Sequence, residues 1–166
     1  MPRLTLIVFL NTLLICLVSR ADDYTYVRSD GRQATIRLNE RSDSTAVIEY
    51  WVEDGRLSEW VIKYPVFQFC CGDLTGDGVP EIAVGVVKST KYSPQVGRRL
   101  FLFKLFEEEL IRPLWLSSRL AHRLVNFDIE PDGIVLTQEV KADGTPVRVK
   151  YEHRGFGLKF VEYIQN

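Results

Sequence analysis

Short runs of β-branched and aromatic residues, separated by turn-forming residues, recur along most of this chain. In "PVRVKY" the side chains of Val147, Val149 and Tyr151 fall on one face, with Arg148 and Lys150 on the other. A period of two is typical of a half-buried strand. Similar β-forming composition is found in "AVIEYWV", "EWVIKY", "EIAVGVV", "RLFLFKLF", "IVLTQEV" and "LKFVEYI". The sequence therefore predicts an all-β fold of antiparallel strands.

Five Asp-Gly pairs punctuate these strands. Asp and Gly tolerate the positive φ angles of tight hairpins, so each pair predicts a turn between neighbouring strands. The turns are Ser29-Asp30-Gly31, Glu53-Asp54-Gly55, Gly76-Asp77-Gly78, Pro131-Asp132-Gly133 and Ala142-Asp143-Gly144.

Three of the pairs suggest an internal repeat. Asp30-Gly31, Asp77-Gly78 and Asp132-Gly133 each open two or three predicted strands and recur at intervals of about 50 residues, which suits propeller blades or stacked meanders. Three blades do not close a ring of the usual four to eight or so. The interpretations left open are a sandwich of meanders, an open propeller-like fragment, or a coincidence among short strands.

One segment departs from the strand pattern. Pro113 is suited to the first turn of a helix, and Leu116, Leu120 and Leu124 follow at four-residue spacing. We therefore expect at most one short helix, at this position.

The first 21 residues have the composition of a secretory signal peptide. Arg3 supplies a positive start, Leu4–Val18 is largely apolar, and Ser19-Arg20-Ala21 places small residues at a cleavage site. The apolar run is shorter than the roughly 20 residues that span a bilayer. We predict an exported protein, periplasmic or extracellular, with no stable membrane span and with residues 22–166 forming a single all-β domain.

Charge gives little information about partners. The chain of 166 residues has a formal net charge of −1, without a long block of like charge. Nucleic acid is therefore not an implied partner, and a protein or a glycan is expected instead.

Glu107–Glu109 is interpreted as a solvated turn. The side chains of Trp51, Trp60 and Trp115 are interpreted as core or cross-strand residues, with a sugar-stacking platform as the alternative.

The stretch "CCGDLTGDGVPEIAVGV" carries the best candidate site. Oxygen-bearing groups occupy alternate positions, and Gly76 and Gly78 allow the backbone to curl around a centre. Hard cations such as Ca²⁺ take six to eight oxygen ligands. The predicted ligands are Asp73, Thr75, Asp77, the carbonyl of Val79, and Glu81.

This loop resembles the calcium loop of FG-GAP and VCBS-type repeats, an Asp-x-Asn/Asp-x-Asp-Gly-x-x-Asp segment followed by an apolar strand, here "EIAVGVV". Thr75 stands where that family usually has Asn or Asp, and Glu81 replaces its final Asp. The resemblance implies a structural Ca²⁺. The alternative is a metal-free turn in which Asp73 and Asp77 cap backbone N–H groups. Farther along, "RRLFLFKL", "LIRPLWLSSRL" and "LVNFDI" resemble segments of small exported proteins of Gram-negative bacteria.

Two adjacent cysteines precede the loop. Neighbouring residues of a strand point to opposite faces, so Cys70 and Cys71 are predicted to be two separate, buried or half-buried thiols. A vicinal or intermolecular disulfide is the alternative in an exported protein.

No catalytic motif is recognisable in the sequence. No nucleophile is assigned to His122 or His153, and Ser117 and Ser118 lack a Gly-x-Ser-x-Gly setting. We therefore predict a binding or structural module with a structural Ca²⁺ loop. The alternative is an envelope-associated hydrolase or a carbohydrate-binding factor.

Overall fold

The computed structural model describes residues 23–91, 93–116, 120–155 and 157–164, so the predicted signal peptide lies outside the described residues. Those residues form twelve strands, and no helix is found among them. In chain order the strands are β1 (Asp23–Val27), β2 (Gln33–Ser42), β3 (Thr45–Val52), β4 (Gly55–Ile62), β5 (Val66–Gly72), β6 (Glu81–Thr90), β7 (Ser93–Phe106), β8 (Leu110–Leu116), β9 (Arg123–Ile129), β10 (Ile134–Val140), β11 (Pro146–Arg154) and β12 (Gly157–Ile164).

The strands form three four-stranded antiparallel sheets, each a meander of consecutive strands. We call them the first sheet (β1–β4), the middle sheet (β5–β8) and the third sheet (β9–β12). The all-β prediction is confirmed. The three repeated Asp-Gly pairs lie in the first turn of the three sheets, and Gly31, Gly78 and Gly133 all adopt positive φ. The recurrence in the sequence therefore marks the start of each meander.

The middle sheet is buried on both faces. In β6, Ile82 and Val84 pack with the first sheet, whereas Ala83 packs with the third. In β7, Phe103 faces the first sheet and Leu102 the third. A strand covered on both faces needs apolar residues at every position, which explains the uninterrupted runs "EIAVGVV" and "RLFLFKLF".

The middle sheet thus separates two hydrophobic cores. The first core lies against the first sheet and includes Ile36, Ile48 and Tyr50. The second core lies against the third sheet and includes Val135 and Val149. The result is a stack of three layers, which agrees with a sandwich of meanders.

The outer faces of the stack are polar. On the third sheet, Lys150 pairs with Glu162 at 2.9 Å and Lys159 pairs with Glu152 at 2.8 Å.

The three tryptophans lie in three different environments. Trp51 is on the outer face of the first sheet, with the guanidinium groups of Arg37 and Arg56 5.7 and 5.9 Å from its ring centroid. Trp60 packs against the first core and Trp115 against the second. They therefore do not form a common sugar-stacking platform.

The helix allowed after Pro113 is not found in the described part of this segment; residues 117–119 lie outside it. Pro113 pairs with Phe103 and Leu116 with Phe101 in β8, and Leu124 belongs to β9. Because β8 is an edge strand with an irregular register here, the missing N–H of Pro113 is tolerated. Across the described residues there is no helix long and apolar enough to cross a membrane.

Close packing of the middle sheet is tested by Gly85→Ala. A Cβ added at Gly85 would lie 2.6 Å from the ring of Phe67 and 2.9 Å from that of Phe127. We expect the substitution to lower the free energy of unfolding by about 1–3 kcal/mol in denaturant titration. Gly97→Ala is the matched control, because its Cβ would come no nearer than 3.8 Å to Arg99. Equal stability of the two variants would contradict the packing described here.

Candidate metal centre at one end of the stack

The predicted cation loop connects β5 to β6 and is anchored in both cores. Leu74 is buried in the second core, and Val79 packs against the first. A Cβ at Gly133, in the first turn of the third sheet, would lie 3.0 Å from the carbonyl oxygen of Asp73. The loop is therefore in contact with a turn of the neighbouring sheet as well as with both cores.

Asp73 organises the backbone of the loop. Its Oδ1 accepts hydrogen bonds from the N–H groups of Thr75 at 3.2 Å and Gly76 at 2.7 Å, and its Oδ2 accepts one from Gly78 at 2.8 Å. Desolvation opposes ionisation of Asp73, but these N–H groups outweigh it and hold the pKa below its ordinary value. Asp77 Oδ1 accepts a hydrogen bond from Val79 N–H at 2.9 Å. Both aspartates thus make the capping bonds expected of an Asx turn.

The side chain of Glu81, the first residue of β6, is hydrogen-bonded to two residues of the loop. It is 4% exposed, and its Oε2 accepts a hydrogen bond from Leu74 N–H at 2.7 Å. The hydroxyl of Thr75 donates to Oε1 at 3.5 Å. Desolvation, reinforced by the negative charges of Asp77 and Asp73, raises the pKa of Glu81 to about 7. The negative charges of Asp77 and Asp73 are thus close enough to oppose ionisation of Glu81.

An acidic cleft of about 410 Å³ opens beside the loop. Three of the five predicted ligands line it, together with residues from the first turn of the first sheet, from the end of β7 and from the β7–β8 turn. The lining residues are Asp77, Val79, Glu81, Ser29, Lys104, Leu105, Glu107 and Glu108.

The β7–β8 turn corrects one prediction. Glu107 and Glu109 are exposed as expected, but Glu108 is only 9% exposed and accepts hydrogen bonds from Ser29 N–H at 3.3 Å. Its Oε2 also lies 3.8 Å from Nε of Arg28. Interpreting this triplet as a fully solvated turn was wrong for Glu108. Its partners lie far away in sequence, so no local pattern identifies the buried carboxylate.

In this arrangement the carboxylates of the loop accept hydrogen bonds from N–H and O–H groups of the loop itself. Thr75 connects the two ends of the loop, because its N–H donates to Asp73 and its hydroxyl donates to Glu81. Asp77 and Val79 instead border the cleft with Glu81. Within the described ranges, no three His, Cys, Asp or Glu side chains converge as a group that could hold a metal ion.

The two cysteines beside the loop are free thiols on opposite faces of β5, as predicted. Cys70 packs against the second core and Cys71 against the first. Desolvation raises the pKa of Cys70 to about 12 and also raises that of Cys71 well above its ordinary value. Neither thiol is therefore disposed to act as a thiolate ligand or nucleophile.

Among the described residues, neither histidine ring is hydrogen-bonded to a carboxylate or a serine. His122 Nε2 lies 2.9 Å from the hydroxyl of Tyr163, and His153 Nε2 is buried without a hydrogen-bond partner. Ser117 and Ser118 lie outside the described residues. In the part of the chain that is described, no Ser, His and carboxylate groups form a hydrogen-bonded triad.

No protein family model matches this chain, and comparisons with curated proteins and with solved structures also give no match. The only support for the likeness of the loop to FG-GAP and VCBS-type repeats is therefore the sequence of the loop itself.

The buried state of Glu81 predicts a pH dependence of stability in a metal chelator. Its folded pKa of about 7 exceeds the ordinary 4.5, so protonated Glu81 stabilises the fold fully below pH 4.5 or so. That contribution, about 3 kcal/mol, is lost as the pH rises to about 7. Glu81→Gln should remove this slope from unfolding curves measured between pH 4.5 and 7. Glu162→Gln, at an exposed carboxyl, should retain it. A wild-type slope in Glu81→Gln would show that Glu81 is not the titrating group.

Proposed function

We propose that this chain is an exported binding or structural module whose three-sheet stack is stabilised by Ca²⁺ bound at residues 73–81. The observation that carries the proposal is the buried carboxylate of Glu81, held beside Asp73 and Asp77. Glu81 has no ion pair within the described part of the chain. A bound divalent cation would compensate the three negative charges and favour their ionised forms.

The loop retains oxygen atoms for such a cation. Asp73 Oδ2 accepts the N–H of Gly78, and Asp77 accepts through Oδ1 in its turn, which leaves Asp77 Oδ2 for a ligand. Glu81 Oε1 makes a long contact, 3.5 Å, with the Thr75 hydroxyl. Together with the carbonyl of Val79 and water, these oxygens suit the mixed carboxylate, carbonyl and water coordination of Ca²⁺.

The proposed role of the cation is structural. The loop contacts both cores through Leu74 and Val79, so ordering the loop also restrains the packing of the sheets on either side. The site offers no histidine as a general base. A ligand that binds only the folded state stabilises it by about 2.7 kcal/mol at 100 times its dissociation constant.

Calcium is expected to raise the melting temperature. At a dissociation constant of about 10⁻⁴ M, 10 mM CaCl₂ should shift the transition upward by several degrees relative to chelator. Mg²⁺ should have a smaller effect, because it demands stricter octahedral geometry and gives up its water less readily. Asp77→Asn keeps an oxygen to cap Val79 but removes a charge, and should lose most of the calcium shift.

Asp143→Asn is the matched control for this experiment. Asp143 caps Thr145 N–H at 2.9 Å in the same kind of turn, but lies in the β10–β11 connection. Its variant should keep the full calcium shift. If the wild-type protein melts at the same temperature in chelator and in calcium, the loop is a metal-free turn.

A further inference from the structure

The third sheet carries a basic groove at the end opposite the cation loop. In a meander, the first and third turns lie at one end and the second turn at the other. The cation loop is the first turn of the middle sheet and contacts the first turn of the third sheet at Gly133. The groove, of about 370 Å³, is built from the second turn of the third sheet and from the residues that enter β9. Its volume lies in the range of about 300–1,000 Å³ typical of small-molecule sites.

A buried polar cluster fixes one wall of the groove. Glu139, 1% exposed, accepts hydrogen bonds from the hydroxyls of Thr137 at 2.7 Å and Tyr151 at 2.8 Å. Its other oxygen accepts the N–H of His122 at 2.6 Å, and the Tyr151 hydroxyl accepts the N–H of Ala121 at 2.9 Å. The backbone entering β9 is therefore held before any ligand arrives.

The opposite wall is also ordered. In the β10–β11 turn, Lys141 N–H donates to Thr145 O at 2.9 Å and Gly144 N–H donates to Lys141 O at 3.0 Å. Asp143 turns its carboxylate to Thr145 N–H. The groove thus has two pre-organised walls, which lowers the entropy lost when a ligand binds.

Among the residues that the structure describes, the ionisable side chains that line the groove are all basic: His122, Arg123 and Lys141. Two carboxylates lie nearby: Glu139 is buried among its own donors, and Asp143 bonds to Thr145 N–H and is also stabilised by the charge of Lys141. No ion pair is formed by Arg123 or Lys141 with any described residue, whereas Lys150 and Lys159 on the same sheet are both paired. The groove is therefore complementary to a negative charge.

Aromatic rings border the basic groups. The Lys141 ammonium lies 5.5 Å from the ring centroid of Tyr163, which also stacks with His122. Phe160 meets Tyr163 at 5.0 Å between ring centroids, and the two are 41% and 45% exposed. His122 covers one face of Tyr163, so the exposed aromatic surface near the cation is that of Phe160 and the uncovered part of Tyr163. Such a surface suits a ligand that is itself amphipathic, with C–H groups on one face and a charge at its edge.

We propose that the groove binds an anionic saccharide, with its carboxylate at Lys141 and Arg123 and a sugar ring that extends past Lys141 onto Phe160 and the exposed part of Tyr163. This gives a ligand class to the binding module proposed above. It does not depend on the calcium loop, because the two sites lie at opposite ends of the stack.

The test is calorimetric titration of the purified protein with tetragalacturonate in low salt and a chelator, which removes any contribution from calcium. We expect a dissociation constant below about 1 mM. Lys141→Gln and Arg123→Gln should each weaken binding by about 1.5- to fivefold, as loss of an exposed ion pair does. Phe160→Ala should weaken it without changing its dependence on salt.

Lys150→Gln is the matched control, since it removes a basic residue of the same sheet outside the groove. It should bind as the wild type does, and the melting temperature of every variant shows whether it is folded. Neutral maltotetraose, inorganic phosphate and a single-stranded oligonucleotide serve as competing probes. Absence of tetragalacturonate binding, or equal binding of any competing probe, would overturn the proposal. So would unchanged binding by folded Lys141→Gln and Arg123→Gln.

Discussion

Burial of the middle sheet on both faces is the constraint on which the rest of the structure depends. Alternate residues of β6 and β7 enter two different cores, so neither outer sheet has a hydrophobic partner without the middle one. The approach of Phe67 and Phe127 to Gly85 shows how little space remains between the layers. The polar outer faces, with pairs such as Lys150–Glu162, mark where apolar burial ends.

The same layering gives the loop at residues 73–81 its importance. A connection in an outer sheet would touch one core, whereas this loop inserts Leu74 into one and rests Val79 against the other. Charge is concentrated at the same place, because Asp77, Glu81 and Glu108 border one cleft. A cation that orders this loop would therefore influence the packing of all three sheets.

Much of this architecture was predictable from local sequence patterns. The alternation in "PVRVKY" indicates a half-buried strand, and the Asp-Gly pairs indicate the hairpin turns. The continuous apolar runs are typical of a sheet that is buried on both faces. The rule that neighbouring residues of a strand point to opposite faces also predicted the placement of Cys70 and Cys71 correctly. These features depend on residues only a few positions apart, which is why sequence alone reveals them.

Features that depend on distant residues were not predictable in this way. Burial of Glu108 requires Ser29 and Arg28 from another sheet, and one wall of the basic groove is fixed by Glu139 and Tyr151. The leucine spacing after Pro113 was misleading, because pairing of β8 with β7 outweighs a helical pattern in this segment. The calcium site remains a prediction, since Asp73 caps its own loop in a way that suits both a filled and a metal-free turn.

Residue-resolved hydrogen exchange with and without calcium tests the central claim most directly. If Ca²⁺ binds at residues 73–81 and stabilises the stack, the amide protons of Gly76 and Gly78 should exchange more slowly in calcium. Those of Ser29 and Gly133, in the adjoining turns of the first and third sheets, should also gain protection, while Gly144 at the opposite end should gain less. Equal exchange at all five amides in calcium and in chelator would contradict the account.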